Sequence, residues 1–261
     1  MPYALITGAS KGIGKEIARE LAKKKYDLVL TARSEKLLQQ FAEELQQQYK
    51  VVVQYLAVDL SKAEAPAQIT TFITERKLPI SMLVNNAGYG LWGRFEKLKL
   101  SEQLNMLRLN NESLISLTYE LLPVLKQQER SYILNIASTA SYQAMPYMSV
   151  YAASKAFVVS FSRGLSGELR GSSVSVTCVS PGATGTYFME VAGMNTNKKL
   201  LNMAAKVEMT AEDVAVESVD ALFARKVEFI AGVANKITAF ANNFLPKSLV
   251  EKVVGNIYKV D

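Results

Sequence analysis

Short apolar segments alternate with longer amphipathic segments along the first 180 residues, and this alternation is the feature that most limits the fold. Apolar, β-branched runs predict strands over 3–7, 27–31, 51–58, 80–85, 132–138 and 174–180. The segments between them predict helices over 12–24, 34–49, 61–76, 101–128 and 151–169. Strands that alternate with helices form a parallel sheet covered on both faces. The sequence therefore predicts an α/β fold built on a doubly wound parallel sheet.

A chain of 261 residues with 49% hydrophobic positions can bury one large core, and neither a linker nor an internal repeat divides it. We predict a single domain over 1–261. Residues 184–205 have uneven periodicity, which fits either a mobile substrate lid or an ordinary helical insertion. Residues 236–261 form an amphipathic tail that can pack on its own core, contact a second subunit or touch a membrane surface. The first two of these are favoured.

The composition excludes several kinds of chemistry. The chain has no histidine, which removes the commonest general base and every imidazole metal site. Its one cysteine, Cys178, lies in an apolar run and cannot form an intramolecular disulfide. Acid-base chemistry must therefore fall to Tyr, Lys, Asp or Glu, and we predict no metal site.

The net charge of +6 does not indicate a nucleic-acid partner, because basic and acidic residues are interspersed along the chain. No apolar stretch approaches the length of a membrane span, and the first residues lead directly into a strand. We expect a cytoplasmic protein that acts on a small molecule.

A glycine-rich loop, TGASKGIG, follows the first predicted strand and opens a helix. Gly8, Gly12 and Gly14 allow a tight turn and a close approach of the backbone to a pyrophosphate, whose charge a helix N-terminus favours. The spacing is a variant of the dinucleotide fingerprint, although glycine turns are also common at strand–helix junctions.

Cations stand where an NAD-binding protein usually carries an acid for the ribose 2′-hydroxyl. Arg33 follows the second predicted strand, and Lys11 lies within the glycine loop. Both side chains can pair with a 2′-phosphate, so they favour NADP(H), but each is also explained as an ordinary exposed cation. Asp59, after the third strand, can accept from an adenine amino group, or it can cap the next helix, where Ser61 and Glu64 fit a capping box.

The sequence NNAG at 85–88 closes the fourth predicted strand, where it either shapes the floor of a cofactor site or forms an Asx turn. Ser138 ends the next strand, and Tyr151 and Lys155 begin a helix. Four residues apart, the phenol and the ammonium share one helix face, so the cation can lower the pKa of the phenol. The pattern YxxxK also occurs on exposed helices that have no catalytic role.

Together, TGxxxGIG, NNAG, Ser138, YxxxK and SPG at 180–182 resemble the short-chain dehydrogenase/reductase family in their order over nearly the whole chain. The resemblance implies a single-domain Rossmann-like fold and hydride transfer between a nicotinamide and a carbonyl or alcohol. It implies a homodimer or homotetramer. It is also compatible with a dinucleotide-binding sensor or scaffold that has kept the fold without turnover.

The resemblance assigns roles to individual residues. Tyr151 is the expected general acid, Lys155 its partner and a ligand of the nicotinamide ribose, and Ser138 the group that polarises the substrate oxygen. The expected proton-relay residue is Asn110, with Asn111 as the alternative. The positions expected to bind NADP(H) are Gly8, Ser10, Lys11, Gly12, Ile13, Gly14, Arg33, Asp59, Asn86, Ala87, Gly88, Tyr151, Lys155, Pro181, Gly182, Thr184 and Thr186.

Apolar side chains dominate the three segments that would select the substrate. These are Tyr89, Leu91 and Trp92; Tyr142, Met145 and Met148; and Tyr187, Phe188, Met189 and Met194. Such residues favour a hydrophobic ketone, aldehyde or alcohol, although Met and aromatic residues also fill ordinary cores.

Overall fold

The computed structural model describes residues 2–194, 197, 208–242 and 244–260. Seven strands form one parallel sheet in the order β3-β2-β1-β4-β5-β6-β7. They are β1 (Tyr3–Thr7), β2 (Asp27–Ala32), β3 (Val53–Ala57), β4 (Ile80–Asn85), β5 (Ser131–Ile136), β6 (Val174–Ser180) and β7 (Glu228–Ile230). The strand order reverses between β1 and β4, and ligands of such sheets bind beyond the carboxyl ends of the strands at that point.

The helices of the described residues connect and cover these strands. They are α1 (Gly12–Lys23), α2 (Glu35–Tyr49), α3 (Ala65–Glu75), α4 (Leu100–Leu107), α5 (Ser113–Lys126), α6 (Ser149–Glu168), α7 (Phe188–Val191), α8 (Ala211–Phe223), α9 (Val233–Ala241) and α10 (Lys247–Tyr258). A π-helical turn, Arg108–Glu112, joins α4 to α5, and a 3₁₀ helix, Thr139–Tyr142, follows β5. The predicted doubly wound α/β fold is confirmed.

Successive side chains of each strand enter opposite core layers, because side chains alternate across a sheet. In β2, Leu28 and Leu30 pack in the layer formed with α1, α2 and α8, whereas Val29 packs in the layer formed with α3 and α5. Strands β2, β4 and β5 are buried along their whole length, which explains why they read as continuous apolar runs.

Three features differ from the sequence prediction. The segment 101–128 is not one helix, because the π-helical turn interrupts it. The helix after β3 begins at Ala65, so Ser61 and Glu64 do not form a capping box; instead Asp59 Oδ1 accepts from the Ser61 N–H and hydroxyl. Strand β7 was not predicted, because three residues among charged neighbours give too short a pattern.

Candidate active site

The glycine loop forms a cradle at the N-terminus of α1. Gly8 and Gly12 adopt φ angles of 65° and 56°, in the left-handed region that favours glycine. A Cβ at Gly14 would lie 2.3 Å from Asn86 Nδ2 and 2.6 Å from the Gly8 carbonyl oxygen, so only glycine fits there. The loop thus brings the backbone as close to β4 as packing allows.

The N-terminus of helix α1 faces this cradle, and no side chain of the described residues caps it. Lys11 occupies the N-cap position without a side-chain hydrogen bond, and the first turn holds no acidic residue. By contrast, the Thr210 hydroxyl accepts from the Asp213 N–H at the start of α8. Free N–H groups and the positive end of the helix dipole suit an anion, and the cradle therefore fits a pyrophosphate.

The NNAG segment braces the glycine loop. Asn86 Nδ2 donates to the Thr7 carbonyl oxygen at 2.9 Å, and the Thr7 hydroxyl accepts from the Asn86 and Ala87 N–H groups at 2.9 and 3.0 Å. Asn85 turns into the core and donates to Asn135 Oδ1 at 2.9 Å. The role of Thr7 was not predicted, because a threonine within a strand gives no signal in the sequence.

Arg33 and Asp59 lie beside each other after β2 and β3. Burial opposes ionisation of the Asp59 carboxyl, but hydrogen bonds from Ser61 and the charge of Arg33 outweigh it and lower the pKa of Asp59. Both groups lie at the carboxyl edge of the sheet, with the Arg33 side chain exposed. Lys11 takes a different direction, since its Nζ lies 4.2 Å from the centroid of the Tyr187 ring.

The three residues predicted to carry the acid-base chemistry come together. Ser138 lies two residues beyond β5, and Tyr151 and Lys155 lie in the first two turns of α6. The Ser138 hydroxyl lies near enough to the Tyr151 phenol to lower the pKa of the phenol. Lys155 is buried, and its Nζ donates to the Ile136 carbonyl oxygen at 2.9 Å.

Burial governs the protonation of this group of residues. It raises the pKa of Tyr151 to about 12, and the nearby Ser138 hydroxyl only partly opposes it. Burial also lowers the pKa of Lys155 to about 8. The spacing of the two residues predicted a lowered pKa for Tyr151, whereas the structure raises it. The reason is that the Lys155 ammonium donates to the Ile136 carbonyl oxygen, so that desolvation of the phenol dominates.

The segment that carries Ser138 is fixed at both ends. The Ser138 hydroxyl accepts from the Ala140 N–H at 3.1 Å and so caps the 3₁₀ helix. At its other end the Tyr142 hydroxyl donates to Glu228 Oε1 at 2.8 Å and lies 3.0 Å from Ser180 Oγ. Tyr142, predicted to line the substrate pocket, thus ties this helix to β6 and β7.

Asn110 and Asn111 differ in their surroundings. Both lie in the π-helical turn and are buried. Asn110 Nδ2 donates to the Tyr89 carbonyl oxygen at 3.0 Å and to Ser154 Oγ at 3.1 Å, and its Oδ1 accepts from the Tyr89 N–H at 3.1 Å. Asn111 Nδ2 donates to the Ser154 carbonyl oxygen at 2.8 Å.

Asn110 and Lys155 both approach Gly88. A Cβ at Gly88 would lie 2.9 Å from Asn110 Oδ1 and 3.4 Å from Lys155 Nζ. The ends of both side chains therefore border the space next to Gly88. This geometry favours Asn110 over Asn111 as the neighbour of Lys155, and a π-helical turn at that position is typical of functional sites.

The segment after β6 reaches back to the glycine loop. The buried Pro181 accepts from the Thr139 N–H at 2.8 Å through its carbonyl oxygen. Thr184 Oγ1 donates to the Gly182 carbonyl oxygen at 3.0 Å. A Cβ at Gly12 would lie 3.1 Å from Thr186 Cγ2. Among the positions predicted to bind the cofactor, the half-buried Ser10 and Ile13 lie at the same end of α1, with Ile13 packed on the core.

Apolar side chains, which we call the apolar pocket wall, pack around Tyr151. Its ring centroid lies 5.3 Å from that of Phe188. The cluster that contains both rings also holds Tyr89, Leu91, Trp92, Met106, Met145, Met148, Met189 and Met194, together with Val250, Val254, Ile257 and Tyr258 from α10. The predicted apolar residues of all three segments thus meet at one place, except Tyr142 and Tyr187.

The tail predicted over 236–261 has two kinds of surface. The inner face of α10 packs on the chain's own core beside Tyr151. The side chains of Val233, Ile237, Phe240 and Phe244 are exposed along α9 and the turn after it.

Of the predicted lid over 184–205, residues 195, 196 and 198–205 lie outside the described part of the chain.

The described helices include none long and apolar enough to cross a membrane. Within the same residues, no group of three or more Cys, Asp or Glu side chains is placed to hold a metal ion. Cys178 is buried in β6, and burial raises the pKa of its thiol to about 12. Burial and the raised pKa favour a role for this cysteine in packing over one as a nucleophile.

Comparison with known proteins agrees with the fold and the motifs. The sequence profile of the short chain dehydrogenase family matches residues 2–196. A very-long-chain 3-oxoacyl-CoA reductase of Kluyveromyces lactis is 34% identical over an alignment of 184 residues, with coverage of 68% of this chain and 53% of that protein. The chain spans about half the length of the first curated relatives that it matches.

Two solved structures share the architecture. A short-chain dehydrogenase from Sphingobium yanoikuyae in complex with NADPH is 30% identical, with a TM-score of 0.81 and coverage of 96% of this chain and 95% of that one. A short-chain dehydrogenase/reductase from Burkholderia phymatum in complex with NAD has a TM-score of 0.84 at 23% identity and covers 92% of each chain. At 23% identity, the Burkholderia phymatum structure shows only that the fold is shared.

The sheet order, the glycine cradle at its switch point and the adjoining Ser138, Tyr151 and Lys155 define a Rossmann-like nucleotide-binding class of protein. Within this class, the chain belongs to the short-chain dehydrogenase/reductase family.

Proposed function

We propose that the protein is an NADP(H)-dependent reductase of hydrophobic ketones or aldehydes, or of the corresponding alcohols in reverse, with Tyr151 as general acid and base. The observation that carries the proposal is the position of the buried Tyr151 phenol, which adjoins the Ser138 hydroxyl on one side and the apolar pocket wall on the other. A carbonyl oxygen placed between the two hydroxyl groups has its carbon substituents in apolar surroundings.

Tyr151 is in the protonation state that reduction requires. With a pKa of about 12, the phenol keeps its proton at neutral pH and can donate it to a carbonyl oxygen that gains negative charge. Ser138 stabilises the same oxygen through a hydrogen bond. A bound nicotinamide would supply hydride for the carbonyl carbon, and with the proton from Tyr151 this would balance the conversion of C=O to CH–OH.

The glycine loop and the residues around it fit a dinucleotide cofactor. The glycine cradle and the uncapped N-terminus of α1 suit its pyrophosphate. Arg33, exposed beyond β2, suits a 2′-phosphate, which is our reason for preferring NADP(H). Lys155 and Asn110, both next to Gly88, would hold the ribose end and the proton relay.

Two of the relatives support this proposal. The Kluyveromyces lactis protein is named as a reductase of a 3-oxoacyl thioester, which is a ketone with a long apolar substituent. The Sphingobium yanoikuyae structure contains NADPH. The Met-rich and aromatic pocket wall of this chain is suited to an apolar substituent of that kind.

The test is the oxidation of NADPH and of NADH, followed by absorbance, with a panel of hydrophobic ketones and aldehydes. We expect turnover that prefers NADPH and that falls by about 10²–10⁴-fold in Tyr151→Phe. Dinucleotide affinity should stay near that of the parent protein in this variant, because the ring remains. Full turnover by Tyr151→Phe would refute the assigned role.

We also propose that the protein is a homo-oligomer. Ile115 and Tyr119, one helical turn apart on α5, are exposed, as is Phe157 on α6, whose ring stacks on Phe161. Tyr119 is 80% exposed, which is unusual for an aromatic side chain beside other exposed apolar residues. Light scattering of Tyr119→Glu should show a smaller particle than the parent protein.

A further inference from the structure

The C-terminal helix α10 lies against the reacting end of the apolar pocket, although about 100 residues separate it from Tyr151 in the sequence. Its inner side chains Val250, Val254, Ile257 and Tyr258 belong to the same apolar cluster as Tyr151. The close approach continues at Gly255, where a Cβ would lie 3.3 Å from Pro146 Cγ.

One hydrogen bond fastens the end of this helix. Trp92 Nε1 donates to the Tyr258 carbonyl oxygen at 2.7 Å. The backbone N–H of Trp92 donates to the Ala192 carbonyl oxygen at 3.0 Å. The loop after β4 therefore holds both α10 and the segment after β6, so that three walls of the pocket meet at Trp92.

The side chain of Tyr258 packs against the apolar cluster that contains Tyr151. The two phenols interact electrostatically, and Tyr258 is itself largely desolvated, since burial raises the pKa of its phenol. A carbonyl compound bound to the Tyr151 hydroxyl would therefore place one of its substituents against the Tyr258 ring.

Accepting the proposed ketone reductase, we propose that Tyr258 is a specificity-determining residue, whose ring, fixed by the bond from Trp92, limits the length of the apolar substituent on the substrate carbonyl. The bond from Trp92 holds the backbone of residue 258, and the Tyr258 side chain packs against the apolar cluster around Tyr151. Removing the ring opens space for additional methylene groups.

The experiment measures kcat and KM for methyl ketones from 2-butanone to 2-undecanone. In Tyr258→Ala, we expect the ratio of kcat/KM for 2-undecanone to that for 2-butanone to rise about tenfold or more, since one or two methylenes in an apolar pocket discriminate by that amount. The change should appear mainly in KM. Tyr258→Phe, which keeps the ring, should retain the chain-length profile of the parent protein.

Two further variants separate this role from a merely structural one. Val253→Ala removes a side chain from the exposed outer face of the same helix and should leave the profile unchanged. Trp92→Phe removes the indole donor but keeps a ring, and should shift the profile in the same direction as Tyr258→Ala. A profile in Tyr258→Ala equal to that of the parent protein would overturn the inference.

A binding measurement keeps the inference testable without turnover. The chain has one tryptophan, so emission from Trp92 reports on this end of the pocket in the parent protein and in the Tyr258 variants. Titration with the same ketones should give a stronger dependence of affinity on chain length in Tyr258→Ala. Absence of turnover with this dependence present would refute the reductase alone, whereas turnover with equal chain-length dependence would refute only the role of Tyr258.

Discussion

The side-chain amide of Asn110 bonds to both backbone polar groups of Tyr89, its Nδ2 donating to the carbonyl oxygen at 3.0 Å and its Oδ1 accepting from the N–H at 3.1 Å. A single side chain in the π-helical turn therefore fixes the start of the loop that continues to Trp92. The same amide and the Lys155 ammonium both border the space next to Gly88. Asn110 thus connects the positions of the pocket wall and of the candidate acid-base residues.

Asn110→Ala should raise KM for apolar ketones about tenfold and lower stability by about 1–3 kcal/mol, because the backbone groups of Tyr89 lose their partners. Steady-state kinetics and urea denaturation would measure the two effects. Asn111→Ala is the matched control, since Asn111 donates to Ser154 and not to the loop. Equal increases in KM for both variants would argue against a specific role of Asn110.

Gly14→Ala should weaken dinucleotide binding at least tenfold and destabilise the fold by about 1–3 kcal/mol, since the new Cβ would overlap Asn86 and the Gly8 carbonyl. Fluorescence titration with NADPH and thermal denaturation would test this. In Gly167→Ala, on α6, the new methyl group meets no atom within 4 Å, so the variant should be slightly more stable than the parent protein. Normal NADPH affinity in Gly14→Ala would contradict the cradle.

Arg33→Ala should weaken NADPH binding about tenfold or more and change NADH binding less than about threefold, because only the former carries a 2′-phosphate for the guanidinium. Isothermal titration calorimetry with both dinucleotides would measure the difference. Lys97→Ala makes the same change in net charge on an exposed side chain elsewhere and should affect neither. Equal losses for both dinucleotides in Arg33→Ala would refute the preference for NADP(H).

Lys155→Met should change the pH dependence of stability. Burial lowers the pKa of Lys155 to about 8, so the folded protein releases this proton at a lower pH than the unfolded chain, whose lysines titrate near 10.4. Between these values the unfolded chain binds more protons, and the stability of the parent protein relative to Lys155→Met should rise with pH by about 3 kcal/mol.

Below pH 8 both states of the parent protein carry the proton, and the penalty of burying an ammonium is present in full. Lys155→Met removes that charge but leaves the Ile136 carbonyl oxygen without this donor, at a cost of about 1–3 kcal/mol. The comparison therefore rests on the slope with pH. Urea denaturation at pH 7, 8, 9 and 10 would measure it, and a difference between the two proteins that does not vary with pH would show that Lys155 titrates normally.

The sequence predicted most of the fold from local patterns, and the motifs that carry the family resemblance supplied the candidate members of the site. Six of the seven strands and the start of α1 follow from the periods of strands and helices, which neighbouring residues express on their own. The glycine loop follows the end of β1, and Ser138 and then the Tyr151 helix follow the end of β5. In a parallel sheet those strand ends meet at one edge. Their convergence was therefore predictable before any distance was known.

Other properties of the site depend on contacts between distant segments. The raised pKa of Tyr151 comes from burial of its phenol. The electrostatic effect of Arg33 on Asp59 comes from the parallel pairing of β2 with β3. No local pattern encodes the π-helical turn that directs Asn110 to Tyr89. Trp92 and Tyr258 lie 166 residues apart. The sequence by itself determined the sheet and the chemistry along its edge, because those arise from short-range periodicity. Only the tertiary structure decided how deeply the acid-base side chains are buried and which segments surround Tyr151, because both depend on which distant side chains pack together.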